Sequence, residues 1–171
     1  MTAIAMDRPL YAMAGINHEF MTPELIADLP EDERAWVPRP GGGEFLPYMF
    51  DTLTGAMANL FRYRKPGVIG RHLHGSPVYA YTIAGKWSYE EHDWVAKPGT
   101  FVFEAPGEVH TMKVDEAPMM SFFVWMGGYQ LLDDKDNVIG ANNVHSLITA
   151  CDKHYREVGL GPDYIRQFIR G

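Results

Sequence analysis

In this chain of 171 residues, His72 and His74 stand two apart within GRHLHGSPVYAYTIAGKW, a stretch whose Val, Tyr and Ile content reads as β-strand. On a strand, side chains at i and i+2 share a face. The two imidazoles therefore point the same way, near enough to share one metal ion. The third candidate is His110, which follows a Pro-Gly turn in KPGTFVFEAPGEVHTM and opens another strand. Three neutral imidazoles on neighbouring strands would form a facial ligand set and leave other coordination positions open. The other four histidines lack such placement. His18 and His92 lie in loop-like or turn-like sequence. His145 and His154 fall on a C-terminal helix, as solvated or capping residues.

Acid–base groups lie nearby in sequence. On KWSYEE, strand parity puts Trp87, Tyr89 and Glu91 on one face. If that face lines the interior, Tyr89 and Glu91 stand beside the metal. Glu104, inside the apolar run TFVFEAP, is another candidate. A buried carboxylate with a raised pKa could take a proton from a substrate hydroxyl or α-carbon. The alternatives for each are a fourth ligand or a charge at a strand end in solvent. Phe61, Tyr63, Trp87, Tyr89, Met112, Phe123 and Trp125 are strand residues, some of which must face inward. Such walls suit a flat aryl substrate, although a small barrel also fills its interior with these side chains.

The elements that must position these residues are short strands. EFLPYMFD, MANLFRYR, VIGRHLHG, VYAYTIAG, TFVFEA, VHTMKV and MMSFFVWM are rich in Val, Tyr, Phe and Trp, and Gly, Pro or Asp separates most of them. This is the pattern of an all-β sandwich or barrel. GGYQLLDDKDNVIG reads as a further hairpin with an Asp/Asn turn. Before the strands, MTPELIADLP reads as a short helix with Thr22 as N-cap and Pro23 at its first position, and VPRPGGGE reads as loop. After Asn142 and Asn143 the period changes. Leu147, Ile148, Cys151, Tyr155 and Val158 recur at helical spacing, Gly159 and Leu160 look like a C-cap, and PDYIRQFIRG reads as a final short helix. The expected organisation is one domain over 1–171: an N-terminal arm 1–43, a β-barrel core 44–140 and a helical segment 141–171.

Composition narrows the function classes. A formal charge of −7 repels a phosphate backbone, so no nucleic-acid partner is expected. Nothing basic and amphipathic suggests a membrane surface, and the longest apolar stretch, PMMSFFVWMGG, is far short of a span. With Cys151 the only cysteine, no intrachain disulfide can form. The N-terminus lacks the pattern of a signal peptide. A cytoplasmic location is expected.

GVIGRHLHGSPVYAYTIAG resembles the first motif of the cupin superfamily, with Gly67, His72, His74 and Gly85 in the motif places and Val78 where the glutamate stands. The gap from Gly67 to His72 is one residue short. GTFVFEAPGEVH resembles the second motif through Gly99, Gly107 and His110, with Ala105 in the proline place and Val114 in the asparagine place. The resemblance implies a jelly-roll-like, double-stranded β-helix barrel and a metal held by His72, His74 and His110. The missing glutamate leaves the ion its full charge and more open positions, which suits an anionic chelating substrate and O2.

The likeness extends through WVPRPGGGEFLPYMFDTLTG and HYREVGLG to the 2,4'-dihydroxyacetophenone dioxygenase group and its acetylacetone-cleaving relatives. It reaches, more weakly, the cupin domain of ChrR-type anti-sigma factors. It implies O2-dependent cleavage of a carbon–carbon bond beside a carbonyl in an aryl hydroxyketone or β-diketone. Fe(II) is the expected ion, with Zn or Ni the alternatives, and a homo-oligomer, dimer or tetramer, is implied by analogy. The rivals are a non-catalytic metal-binding regulator and a metal-dependent isomerase or lyase.

Overall fold

One long strand organises the sheet. The structure, a computed structural model, describes residues 24–171. Backbone contacts divide the chain into two units, Met1–Glu33 and Arg34–Gly171. In the first, residues 24–30 form no regular element, and the helix start expected at Thr22 and Pro23, like His18, lies outside the described residues. Among the described residues a 3-10 turn follows at Glu33–Ala35.

The second unit carries β1 (Val37–Pro38), β2 (Gly43–Asp51), β3 (Met57–Tyr63), β4 (Gly67–His74), β5 (Val78–Tyr89), β6 (Phe101–Glu104), β7 (Val109–Trp125), β8 (Tyr129–Leu132), β9 (Val138–Asn142), α1 (Val144–Glu157) and β10 (Ile169–Arg170). The C-terminal half of β7 lies between β3 and the start of β5, and its N-terminal half lies between β4 and the end of β5. The sheet runs β1-β2-β3-β7-β4-β8-β9, with β6 added on β5. The pairs are antiparallel except β10 with β2.

The sheet curls where β5 slips register against β7, between Thr82 and Trp87. Gly85 sits in that bend at φ 70°. A Cβ there would meet the Glu116 carbonyl oxygen at 2.4 Å, so only glycine fits. The result is the all-β, jelly-roll-like barrel expected from the two motifs.

Alternation along the strands fills the interior. Val78, Ala80, Thr82 and Trp87 of β5 are buried, while Tyr79, Tyr81 and Ile83 between them are exposed. Trp87 is satisfied inside, its Nε1 donating to Thr82 Oγ1 at 2.9 Å and Ser121 Oγ at 3.0 Å.

The C-terminal helix forms as its sequence period dictates. Asn143 caps α1 in a reciprocal box with Ser146, and Leu147, Cys151 and Tyr155 form its buried stripe. Leu160 N–H bonds Tyr155 O at 2.8 Å and Gly159 N–H bonds Arg156 O at 3.2 Å, the paired ending that a left-handed glycine permits. The tail departs from the expected helix. Tyr164–Phe168 is a 3-10 turn that buries Ile165 and Phe168. Burying each such side chain contributes about 2 kcal/mol. Ile169 and Arg170 then pair with β2, whose edge offers backbone partners. Together with Val37–Pro38 they extend the sheet beyond the 44–140 span. No helix among the described residues is long and apolar enough to cross a membrane.

Candidate metal centre

Cross-strand register brings the histidines together. His72 of β4 is the direct partner of His110 on β7, and His74 is the partner of Tyr129 on β8. Parity puts both β4 histidines on the inner face, and pairing sets His110 against them. The turn before His110 is tied to β4, since Gly107, at φ 87°, donates its N–H to His74 O at 2.8 Å. All three imidazoles are buried, with His110 only 1% exposed. Ring centroids lie 4.9 Å apart for His72–His74, 4.6 Å for His72–His110 and 5.6 Å for His74–His110. One nitrogen from each lies within 4.8 Å of the others.

The donor set fits a divalent metal. His72 Nδ1 stands 2.9 Å from Gly70 O. A carbonyl only accepts, so Nδ1 carries the proton and Nε2 keeps its lone pair. Burial lowers the His72 pKa. Burial, with the neighbouring imidazoles, brings His74 and His110 down to about 3. The rings are therefore neutral ligands at neutral pH. Among the described residues, His74 Nδ1 and both nitrogens of His110 are buried with no hydrogen-bond partner, a state that buried polar atoms rarely keep. The site is suited to an ion more than to any side chain around it.

Glu104 supplies a carboxylate from β6. It stands opposite Val78 in the β5–β6 ladder and is 3% exposed. Its Oε2 lies 3.6 Å from His74 Nε2 and 3.7 Å from His110 Nε2. Neutral imidazoles make these approaches contacts rather than ion pairs. Its Oε1 accepts a hydrogen bond from Tyr89 Oη at 2.6 Å. Burial raises the Glu104 pKa to about 7, against the lowering pull of the tyrosine. Burial also drives the Tyr89 hydroxyl well above its ordinary value, so it stays protonated as a donor. The Tyr89 ring stacks on His110 at 3.8 Å and 6°.

Glu91 is not brought to this group. β5 ends at Tyr89 and the chain turns, so strand parity no longer aims residue 91 inward. Its carboxylate is held by Arg71 Nη1 at 2.7 Å, Thr111 N–H at 2.8 Å and Thr111 Oγ1 at 3.0 Å. Val78 is buried beside Glu104 and offers no ligand atom.

A cavity of about 290 Å³ opens on His72, His74, Tyr89 and Glu104. Phe61, Met112, Phe123 and Trp125 wall it, as the strand reading allowed, whereas Tyr63 and Trp87 do not line it. Sequence reasoning missed Tyr129 and Arg39, which also line it. The Tyr129 ring lies 5.8 Å from His72 and 5.4 Å from His74, and its hydroxyl accepts from Arg39 Nη2 at 2.7 Å. The available signal for Arg39 was its place between two prolines in VPRPGGGE, where the backbone is restricted on both sides.

The family model described as the ChrR cupin-like domain matches residues 29–130. No curated protein matches the chain. Among solved structures, an RmlC-like cupin protein from Ralstonia eutropha JMP134 is 28% identical, with TM-score 0.70 over 76% of this chain and 87% of that one. A protein of unknown function with a cupin-like fold from the same organism is 21% identical, with TM-score 0.66 over 69% and 75%. An acetylacetone dioxygenase from Acinetobacter johnsonii is 17% identical, with TM-score 0.67 over 81% and 97%. At the last two identities the likeness is one of fold.

Proposed function

The chain belongs to the ChrR cupin-like domain family, and on that premise we propose that it is a mononuclear non-haem dioxygenase. Its reaction would cleave the carbon–carbon bond beside a carbonyl in an aryl hydroxyketone or β-diketone. The observation that carries this reading is the apolar cavity of about 290 Å³ opening on His72 and His74. That is near the lower end of small-molecule sites, roughly 300 Å³, and a purely structural metal has no need of it.

His72, His74 and His110 would hold the ion, which we take as Fe(II); an all-imidazole set also accepts Zn or Ni. When bound, the ion would supply Lewis acidity toward the substrate oxygens and, as iron, electrons for O2. The chain's own residues do the rest. The Gly70 carbonyl fixes the His72 ring. Glu104, buried beside His74 and His110 with one oxygen held by Tyr89, would be the base for a proton on the substrate hydroxyl or α-carbon. Tyr89 holds that carboxylate in place. Phe61, Phe123 and Trp125 hold the substrate body and exclude water.

A second copy would complete the assembly. Tyr79 (37% exposed), Tyr81 (50%), Phe101 (62%) and Phe103 (54%) stand side by side on the outer face of β5 and the edge strand β6. They present roughly 400 Å² of ring surface, about half of what one partner in a stable dimer buries.

The match to a ChrR cupin-like domain is in keeping with a second reading, the non-catalytic metal-binding regulator that the sequence resemblance also implied. An oxygen electrode separates the two. Fe-, Zn- and metal-free protein are each given a panel of aryl hydroxyketones and β-diketones. Uptake with iron alone supports the dioxygenase. No uptake with any ketone, iron being bound, overturns the dioxygenase and leaves the regulator and the isomerase or lyase.

A further inference from the structure

Two cations line the cavity, Arg39 and Arg71. Arg71 is neutralised, its Nε bonded to Asp136 Oδ1 at 2.6 Å and its Nη1 to Glu91 Oε1 at 2.7 Å. Arg39 has no carboxylate partner among the described residues. Among the described residues its side chain makes one hydrogen bond, from Nη2 to Tyr129 Oη, and its guanidinium lies 5.7 Å over the Phe45 ring. Both contacts fix the planar group without offsetting its charge, and most of its donors remain unused.

The backbone adds to this preorganisation. Arg39 N–H bonds Gly43 O at 2.7 Å, and its carbonyl accepts from Gly42 at 3.3 Å. The turn Pro40–Gly42 that follows uses Gly41 and Gly42 at positive φ. Tyr129 spans the distance to the histidines. Its ring packs near His72 and His74 while its hydroxyl reaches Arg39. A ligand with its chelating oxygens on an ion held by the histidines and its body against Trp125 and Phe123 would share the cavity with the guanidinium, which lines the same wall as Tyr129.

We propose that Arg39 anchors a carboxylate carried by the substrate at the end away from the histidines, so that the site takes keto acids with an apolar, aryl-sized body. An unpaired guanidinium in a mostly apolar wall is best matched by an anion with two acceptor oxygens, which a carboxylate supplies and a neutral ketone or phenol does not. The inference deepens the proposed function and rests on its substrate-binding cavity, but it is tested by binding and needs no turnover.

The probes are 4-acetylbenzoate, 4-hydroxyacetophenone and acetophenone, titrated by calorimetry without O2 into the metal-loaded protein. Wild type should bind 4-acetylbenzoate at least tenfold more tightly than acetophenone, with 4-hydroxyacetophenone near acetophenone. Arg39→Met should abolish that preference and leave acetophenone binding within about twofold. Arg39→Gln, neutral and still able to hydrogen-bond, should do the same if the Met variant misfolds. No preference in wild type overturns the proposal. A preference that survives both substitutions also overturns it, because the carboxylate then binds elsewhere, on the metal for instance. The dioxygenase reading fails separately: an Arg39-dependent preference without O2 uptake keeps the anchor and removes the reaction.

Discussion

Glu104 stands directly across the β5–β6 ladder from Val78, and its Oε2 reaches within 3.6 Å of His74 Nε2. The carboxylate absent from position 78 is thus present one strand away, buried and tied to Tyr89. The two placements differ in chemistry. A glutamate at 78 would extend from β5 itself, whereas Glu104 approaches from β6 with one oxygen already held by a tyrosine hydroxyl.

If Glu104 is the base, Glu104→Gln keeps the shape and removes the proton acceptor. Turnover should fall by roughly 10²–10⁴-fold while metal content per chain stays within about a factor of two. Tyr89→Phe keeps the ring stack on His110 and removes only the donor to Glu104. It should cost kcat and leave metal bound. Loss of metal in Glu104→Gln would instead make Glu104 a ligand.

Replacing His72, His74 or His110 with Ala should each remove most of the metal, measured by elemental analysis of protein purified without added metal. His145→Ala and His154→Ala should retain it. His145 lies in the first turn of α1, and His154 Nε2 contacts Arg34 O at 3.0 Å, away from the cluster. Stoichiometric metal in His110→Ala would remove His110 from the ligand set.

Stability in acid should depend on Glu44. Burial works against its carboxylate, but the hydrogen bonds and charges of Arg62 and Arg64 outweigh it and hold the pKa below the ordinary 4.5. Because the folded pKa is the lower one, the stabilisation is full above about pH 4.5 and is lost as pH falls through the folded value. Glu44→Gln should therefore lower stability by about 1 kcal/mol at pH 7, and the deficit should shrink as pH falls through the folded value. Urea midpoints across a pH series decide it, and a deficit that stays constant into acid would mean that packing, not charge, carries the effect.

The outer aromatic face predicts association. Light scattering on wild type should give at least a dimer at micromolar concentration. Phe101→Glu, on edge strand β6, should give a monomer with its fold intact by circular dichroism. A monomeric wild type would leave the face without a second copy.

Some of this was legible along the chain because its physics is local. Strand parity alone puts His72 and His74 on one face, the Val, Tyr and Phe runs give the strands, and Leu147, Cys151 and Tyr155 give the buried stripe of α1. Gly85, Gly99 and Gly107 take the left-handed turns that their motif places require. Parity failed at Glu91, because where a strand stops is decided by its partners: β5 ends at Tyr89, and Arg71 and Thr111 capture the carboxylate beyond it. What only the tertiary structure decided is pairing at long range. Register sets Glu104 against Val78, His110 against His72 and Tyr129 against His74, and Tyr129 then meets Arg39, 90 residues earlier. Periodicity says which side of a strand a residue faces. Which residues meet there depends on how the barrel closes, and that follows from the summed packing and hydrogen bonding of all the strands.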